Sequence, residues 1–252
     1  WDLVNPGSGA TQIQFNARIA VGGATYTWQE ISPGNATGNG TLLAGTSLRT
    51  ISGLPSGAIV RLSIAPTKLL RFYINNGADR QRLLDVENWG TAAWTNMSTA
   101  FYGCENLNIS ATDVPNLNGV VSMGQMFQNC ITLDGPANIN SWNTAAVTNM
   151  SAMFSNASAF NQNIGNWNTA AVTNMSYMFS NASAFDQNIG SWNTAAVTDM
   201  GYMLRNAAVF NQNIGSWNTA AVTNMSYMFY SATAFNQNIG SWNTAAVTNM
   251  SY

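Results

Sequence analysis

From Trp142 onward the chain repeats one 25-residue unit. Trp142, Trp167, Trp192, Trp217 and Trp242 each open the string Trp-Asn-Thr-Ala-Ala-Val-Thr, followed by Asn-Met or Asp-Met. A fixed period of this length predicts a stack in which every unit forms one coil of the same shape. A single coil cannot enclose a core. Each must cover its neighbour, so stability resides in the interfaces between units.

The front of the chain differs in kind. Ile13, Phe15, Ala17, Ile19 and Val21 alternate with more polar neighbours, as a half-buried strand requires. Val60, Leu62 and Ile64 alternate again, and Leu69 to Ile74 is a further apolar run. Turn-forming pieces such as Ser32-Pro33-Gly34-Asn35 and Gly38-Asn39-Gly40 separate them. Several short strands so divided predict a small antiparallel sandwich over residues 1–76. The junction falls at Asn75-Asn76-Gly77-Ala78-Asp79-Arg80, and residues 77–252 form the repeat array, with its last unit truncated.

Within the array, the first methionine of each unit is Met97, Met123, Met150, Met175, Met200, Met225 and Met250. Four positions later stand Phe101, Phe127, Phe154, Phe179, Leu204 and Phe229. Six positions beyond those stand Leu107, Leu133, Phe160, Phe185, Phe210 and Phe235. These columns, with Ile164, Ile189, Ile214, Ile239 and a valine before each Thr-Asn-Met, supply the expected core. Thr-Asn ahead of Met-Ser-Tyr-Met-Phe reads as an N-cap followed by one or two helical turns. Asn-Gln-Asn-Ile reads as a short strand, giving a parallel sheet with neighbours about 4.8 Å apart.

Composition narrows the chemistry. Only 7% of the residues are charged, against roughly 25% in an average domain. The net charge of -2 leaves no basic footprint for nucleic acid or an anionic bilayer. Seven of the eight basic residues lie at or before Arg82, and Arg205 alone falls in the regular array. No run of about 18 apolar residues predicts membrane insertion within this sequence. The chain begins without Met or a leader, so Trp1 is expected to start a processed chain. The last unit breaks off at Ser251-Tyr252, which implies further repeats in a longer parent.

Histidine is absent, which removes the commonest general base and metal ligand. No phosphate-binding loop or Cys-x-x-Cys pair occurs. The expectation is therefore a protein without catalytic residues, cofactor or metal. Cys104 and Cys130 share one slot in adjacent units. They read either as small core residues or as a disulfide between stacked coils, about 5 Å apart at Cα. The tryptophan column (Trp142, Trp167, Trp192, Trp217, Trp242) has two readings as well. It is a ladder of exposed indoles suited to sugar rings, or a set of plugs sealing each coil against the next. Thr144, Thr148 and their repeats form uncharged columns with a four-residue spacing, unlike the two-residue spacing of ice-binding faces.

Ala100-Phe101-Tyr102-Gly103-Cys104-Glu105-Asn106-Leu107 resembles the Ala-Phe-x-x-Cys-x-x-Leu core of BspA-type leucine-rich repeats. The unit Trp-Asn-Thr-x-x-Val-Thr-Asn-Met-Ser-x-Met-Phe resembles the related 25-residue repeat of mycoplasma lipoproteins, found in bacterial surface proteins and in phage and viral proteins. The segment ending Arg71-Phe72-Tyr73-Ile74-Asn75-Asn76 is similar to PKD-type immunoglobulin-like modules. It departs at Trp28-Gln29-Glu30-Ile31, where those modules carry Trp-Gly-Asp-Gly. The resemblance implies a mainly β immunoglobulin-like sandwich, then an α/β leucine-rich-repeat-type solenoid of short parallel strands and helical turns.

It also implies an extracellular, cell-surface or virion-surface location. The expected function is non-enzymatic binding or adhesion to a glycan or protein ligand through the repetitive face. The alternative is a structural component of a filament, surface layer or fibre, self-associating through the repeats.

Overall fold

The computed structural model describes residues 1–251; Tyr252 lies outside the described residues. Six strands form its front: β1 (Gln12–Ile19), β2 (Ala24–Ser32), β3 (Thr37–Leu42), β4 (Gly45–Ser52), β5 (Ile59–Ile64) and β6 (Leu69–Tyr73). They make two three-stranded antiparallel sheets, in the orders β4-β1-β6 and β3-β2-β5. Period-2 alternation puts Ile13, Phe15, Ala17 and Ile19 of β1 in the core. Val21 leaves that series: it lies past the end of β1, beside the turn glycines Gly22 and Gly23, and is exposed.

The array is built from β-turns rather than helices, and this overturns the α/β leucine-rich-repeat expectation. No α-helix occurs among the described residues; the only helical pieces are two three-residue 3-10 turns, Pro66–Lys68 and Ile139–Ser141. The reason is visible in one unit. The Met150, Ala152, Phe154 and Asn156 amides donate to Asn174, Ser176, Met178 and Ser180 of the next coil, at 2.8–3.0 Å. The intervening amides of Met153, Ser155 and Ala157 donate three residues back, to Met150, Ala152 and Phe154. An α-helix would keep all these N–H groups inside the segment. Here half of them leave it.

That division requires positive φ at every fourth residue. The second position after each first methionine (Thr99, Gln125, Ala152, Tyr177, Tyr202, Tyr227) has φ between 52° and 61°. The sixth position is Gly103, Asn129, Asn156, Asn181, Asn206 and Ser231, all with positive φ. Left-handed backbone costs a side-chain-bearing residue on the order of 1–2 kcal/mol. Each turn offsets this by burying a Met or Phe, worth about 1.5–3 kcal/mol, and by aligning inter-coil hydrogen bonds.

The expected N-cap asparagine serves another purpose. Asn149, Asn174 and Asp199 accept from the amides of Ser151, Ser176 and Gly201 at 2.9 Å, closing Asx turns. These residues also form parallel bridges between regular coils, Asn149↔Asn174↔Asp199↔Asn224↔Asn249. The strand expected at Asn-Gln-Asn-Ile does not form.

Sheets and coils share one hydrophobic core. Phe15, Phe72, Phe101, Phe127, Phe154 and Phe179 follow one another at centroid separations of 5.1, 6.0, 5.6, 5.7 and 5.8 Å. The amides of Ile74, Asn75 and Asn76 donate to the carbonyls of Ala100, Thr99 and Tyr102. The end of β6 therefore covers the first coil as one coil covers the next.

A buried charge cluster ties the N-terminal loop to this junction. Asp79 is fully buried and accepts from the Ser8 amide, the Ser8 hydroxyl and the Gln14 amide. Arg82 lies 3.5 Å from it and donates to the carbonyls of Asn5, Gly9 and Gln12, each at 2.8 Å. Removing one member strands the other charge in the interior. Asp79→Ala is therefore expected to destabilise the protein by about 3–5 kcal/mol in urea unfolding. A loss below about 1 kcal/mol contradicts the clamp.

Candidate functional site

Every residue that the repeat aims inward is consumed by the stack. Trp142, Trp167, Trp192 and Trp217 are 3–4% exposed and Trp242 is half-buried. The exposed-ladder reading of these indoles is corrected accordingly. The Trp167 and Trp192 rings lie parallel, 6.4 Å apart. The Nε1 groups of Trp167, Trp192, Trp217 and Trp242 donate to the carbonyls of Ile139, Ile164, Ile189 and Ile214 at 2.8–3.2 Å. The bond reaches back 28 residues each time, so the indole seals one coil against the coil before it.

In the irregular early coils the acceptor is missing, and Nε1 of Trp89, Trp94 and Trp142 is buried without a partner. The Thr144, Thr169, Thr194 and Thr219 column is also buried, its hydroxyls donating to Asn168, Asn193, Asn218 and Asn243 carbonyls of the next coil.

Cys104 and Cys130 are buried free thiols, with no disulfide between them. Cys130 Sγ donates instead to the Phe101 carbonyl at 3.1 Å. Burial pushes both thiols up, Cys104 further by the neighbouring Cys130. Among the described residues no three His, Cys, Asp or Glu side chains converge to hold a metal ion. Among the described residues no helix is long and apolar enough to cross a membrane.

What remains on the surface is a ridge that sequence reasoning missed. The positive-φ turn turns its second residue outward, and in three successive coils that residue is tyrosine. Tyr177 and Tyr202 stack 4.4 Å apart at 6°, and Tyr202 and Tyr227 stack 4.8 Å apart at 14°. Tyr177 is exposed; Tyr202 and Tyr227 are half-buried by their neighbours. Desolvation first, and then the adjacent Tyr202 phenol, raises the Tyr177 phenol above its ordinary value. Four residues along each coil runs an asparagine ladder, Asn206 Nδ2 donating to Asn181, Asn181 to Asn156 and Asn156 to Asn129, at 2.6–2.7 Å.

The ridge carries one charge. Arg205 places its guanidinium carbon 6.0 Å from the Tyr202 ring centroid and 5.7 Å from that of exposed Tyr230. The sequence did hold a signal for the ridge. Its slot varies among Thr99, Gln125, Ala152 and tyrosine, while the first-methionine slot two residues earlier does not vary. A concavity of about 430 Å³ lies between β5 and the first coils, lined by Leu62, Phe72, Trp89, Trp94 and Phe101 among others.

Two measurements check the interior. Trp192→Phe removes the indole bond to the Ile164 carbonyl, which keeps only the Trp167 amide, whereas Trp142→Phe removes a donor that has no acceptor. The first is expected to cost about 1 kcal/mol more than the second in urea unfolding; equal costs contradict the indole bond. The native thiols hold their protons after the unfolded chain, near pH 8.5, has begun to lose its own. The unfolded state then binds fewer protons, so stability falls as pH rises above that point, by up to about 1.4 kcal/mol per pH unit for each thiol. Cys104→Ala/Cys130→Ala is expected to abolish this slope, and an unchanged slope contradicts it.

A model of the family described as "Mycoplasma protein of unknown function, DUF285" matches residues 71–185 and again 163–252. No curated protein and no solved structure matches the chain. The match runs from the second half of β6, which covers the first coil, through every coil after it: the chain belongs to this DUF285 family.

Proposed function

We propose that the protein is a non-enzymatic surface-displayed binding module, presenting the outer ridge of its coils to a glycan or protein ligand. The observation that carries this reading is the row of Tyr177, Tyr202 and Tyr227 at 4.4 and 4.8 Å spacing. Stacked phenols offer apolar edges and hydroxyls together, which suits sugar rings and polar protein surfaces alike. Family membership supports a location on a cell surface. The low charge of the array and its repetition favour many weak contacts over a single deep pocket, with strength gained through multivalency.

The test uses the protein immobilised densely on beads, against a glycan array and against whole cells. Ala152 occupies the tyrosine slot naturally, at φ 52°. Alanine is therefore compatible with the turn, and Tyr177→Ala/Tyr202→Ala is expected to fold. The wild type is expected to bind, and the double variant to lose roughly tenfold or more of that binding. Absence of binding at high density overturns the proposal. So does full retention of binding by the variant. Self-association of the free protein in light scattering, abolished by the same variant, would favour the assembly role instead.

A further inference from the structure

Arg205 departs from the repeat where it stands. The fifth position after the first methionine is Ser155 and Ser180 in the preceding coils, both buried, then Arg205, then Tyr230. Two successive coils thus replace a small inward hydroxyl with a large side chain at the edge of the tyrosine ridge. We propose that Arg205, flanked by Tyr202 and Tyr230, is a subsite for the carboxylate of an acidic saccharide lying along that ridge. The inference rests on the binding reading above and names the class of ligand.

Three observations carry it. First, the guanidinium has no carboxylate within 4.0 Å and makes no hydrogen bond among the described residues. The nearest acids in the array are committed elsewhere: Asp199 accepts from Gly201 and Asn224, and Asp186 from Asn211 and Gln212. A cation left unpaired in a stretch that is otherwise almost uncharged is not there to balance a neighbour. Second, two aromatic ring centroids lie 6.0 and 5.7 Å from its guanidinium carbon, within cation–π reach. Rings held against a planar cation leave its N–H donors in the plane of the group, available as a fork that matches a carboxylate with two parallel hydrogen bonds. Third, the surroundings suit a sugar rather than a small free anion. Tyr177, Tyr202 and Tyr227 extend the site along the stack by 4.4 and 4.8 Å steps, presenting ring edges to the pyranose that carries the acid.

The decisive variant is Arg205→Ser. It restores the residue that two neighbouring coils carry, so folding is preserved by design. The densely immobilised protein is offered sialyllactose conjugates, oligogalacturonate and neutral lactose conjugates at matched density; the first two separate a terminal sialic acid from a uronic acid backbone. At least one carboxylated probe is expected to bind roughly tenfold or more tightly than the neutral one. Arg205→Ser should erase that preference, and Arg205→Lys, which keeps charge but not the planar fork, should recover only part of it. Raising the ionic strength should weaken the acidic probe alone.

Equal binding of acidic and neutral probes overturns the carboxylate subsite while leaving the surface-binding reading intact. Undiminished acidic binding by Arg205→Ser does the same. Binding of no probe and no cell by the wild type overturns both.

Discussion

In the segment after each first methionine, the backbone amides divide their hydrogen bonds between two directions. Alternate N–H groups close turns within a coil, and the ones between them reach the next coil. The rest of the array follows from that division. It forces positive φ at two places per unit, it rules out a helix, and it sets the coils close enough for like side chains to stack. The phenylalanine, tryptophan, tyrosine and asparagine columns are all consequences of that registration. So is the tolerance of Ala152 or Tyr177 in a backbone region that side chains ordinarily avoid.

The same geometry decides where function can reside. Inward positions are filled by Met, Phe, Ile, Val and Trp, whose burial supplies the stability that a low-charge surface cannot. The tryptophans, although the most conspicuous aromatics in the sequence, are committed to this interior by their indole bonds to the preceding coil. Outward positions at the turns are free to vary, and there the chain sets a short row of tyrosines and the one cation of the regular array. The clamp of Asp79 and Arg82, together with the edge formed by Ile74 to Asn76, closes the open face of the first coil, as a capping element must.

Much of this was legible in the sequence, and the failures have physical causes. The period, the columns of Met and Phe and the strands around Phe15 and Val60 could be read from spacing alone. The helical reading failed because an asparagine before Met-Ser-Tyr-Met-Phe can cap a helix or close an Asx turn with the same carboxamide. Local chemistry does not choose between the two; the next coil does, by offering carbonyls to alternate amides. The run of glycine and asparagine at the sixth position (Gly103, Asn129, Asn156, Asn181) was the available hint, since those residues accept left-handed backbone most readily. The tyrosine ridge was missed because a helical reading gives Tyr177 no defined outward face. Trp142 attracted attention by size, although size in a narrow stack argues for burial.

The account stands on amides that bond across coils rather than along them. Scalar couplings transmitted through hydrogen bonds, measured by NMR on the isotopically labelled protein, report those pairings directly. The structure requires a coupling from the Ala152 amide nitrogen to the Ser176 carbonyl carbon, and another from Phe154 to Met178. A coupling from the Phe154 amide to the Met150 carbonyl, the signature of a helical turn, would contradict it.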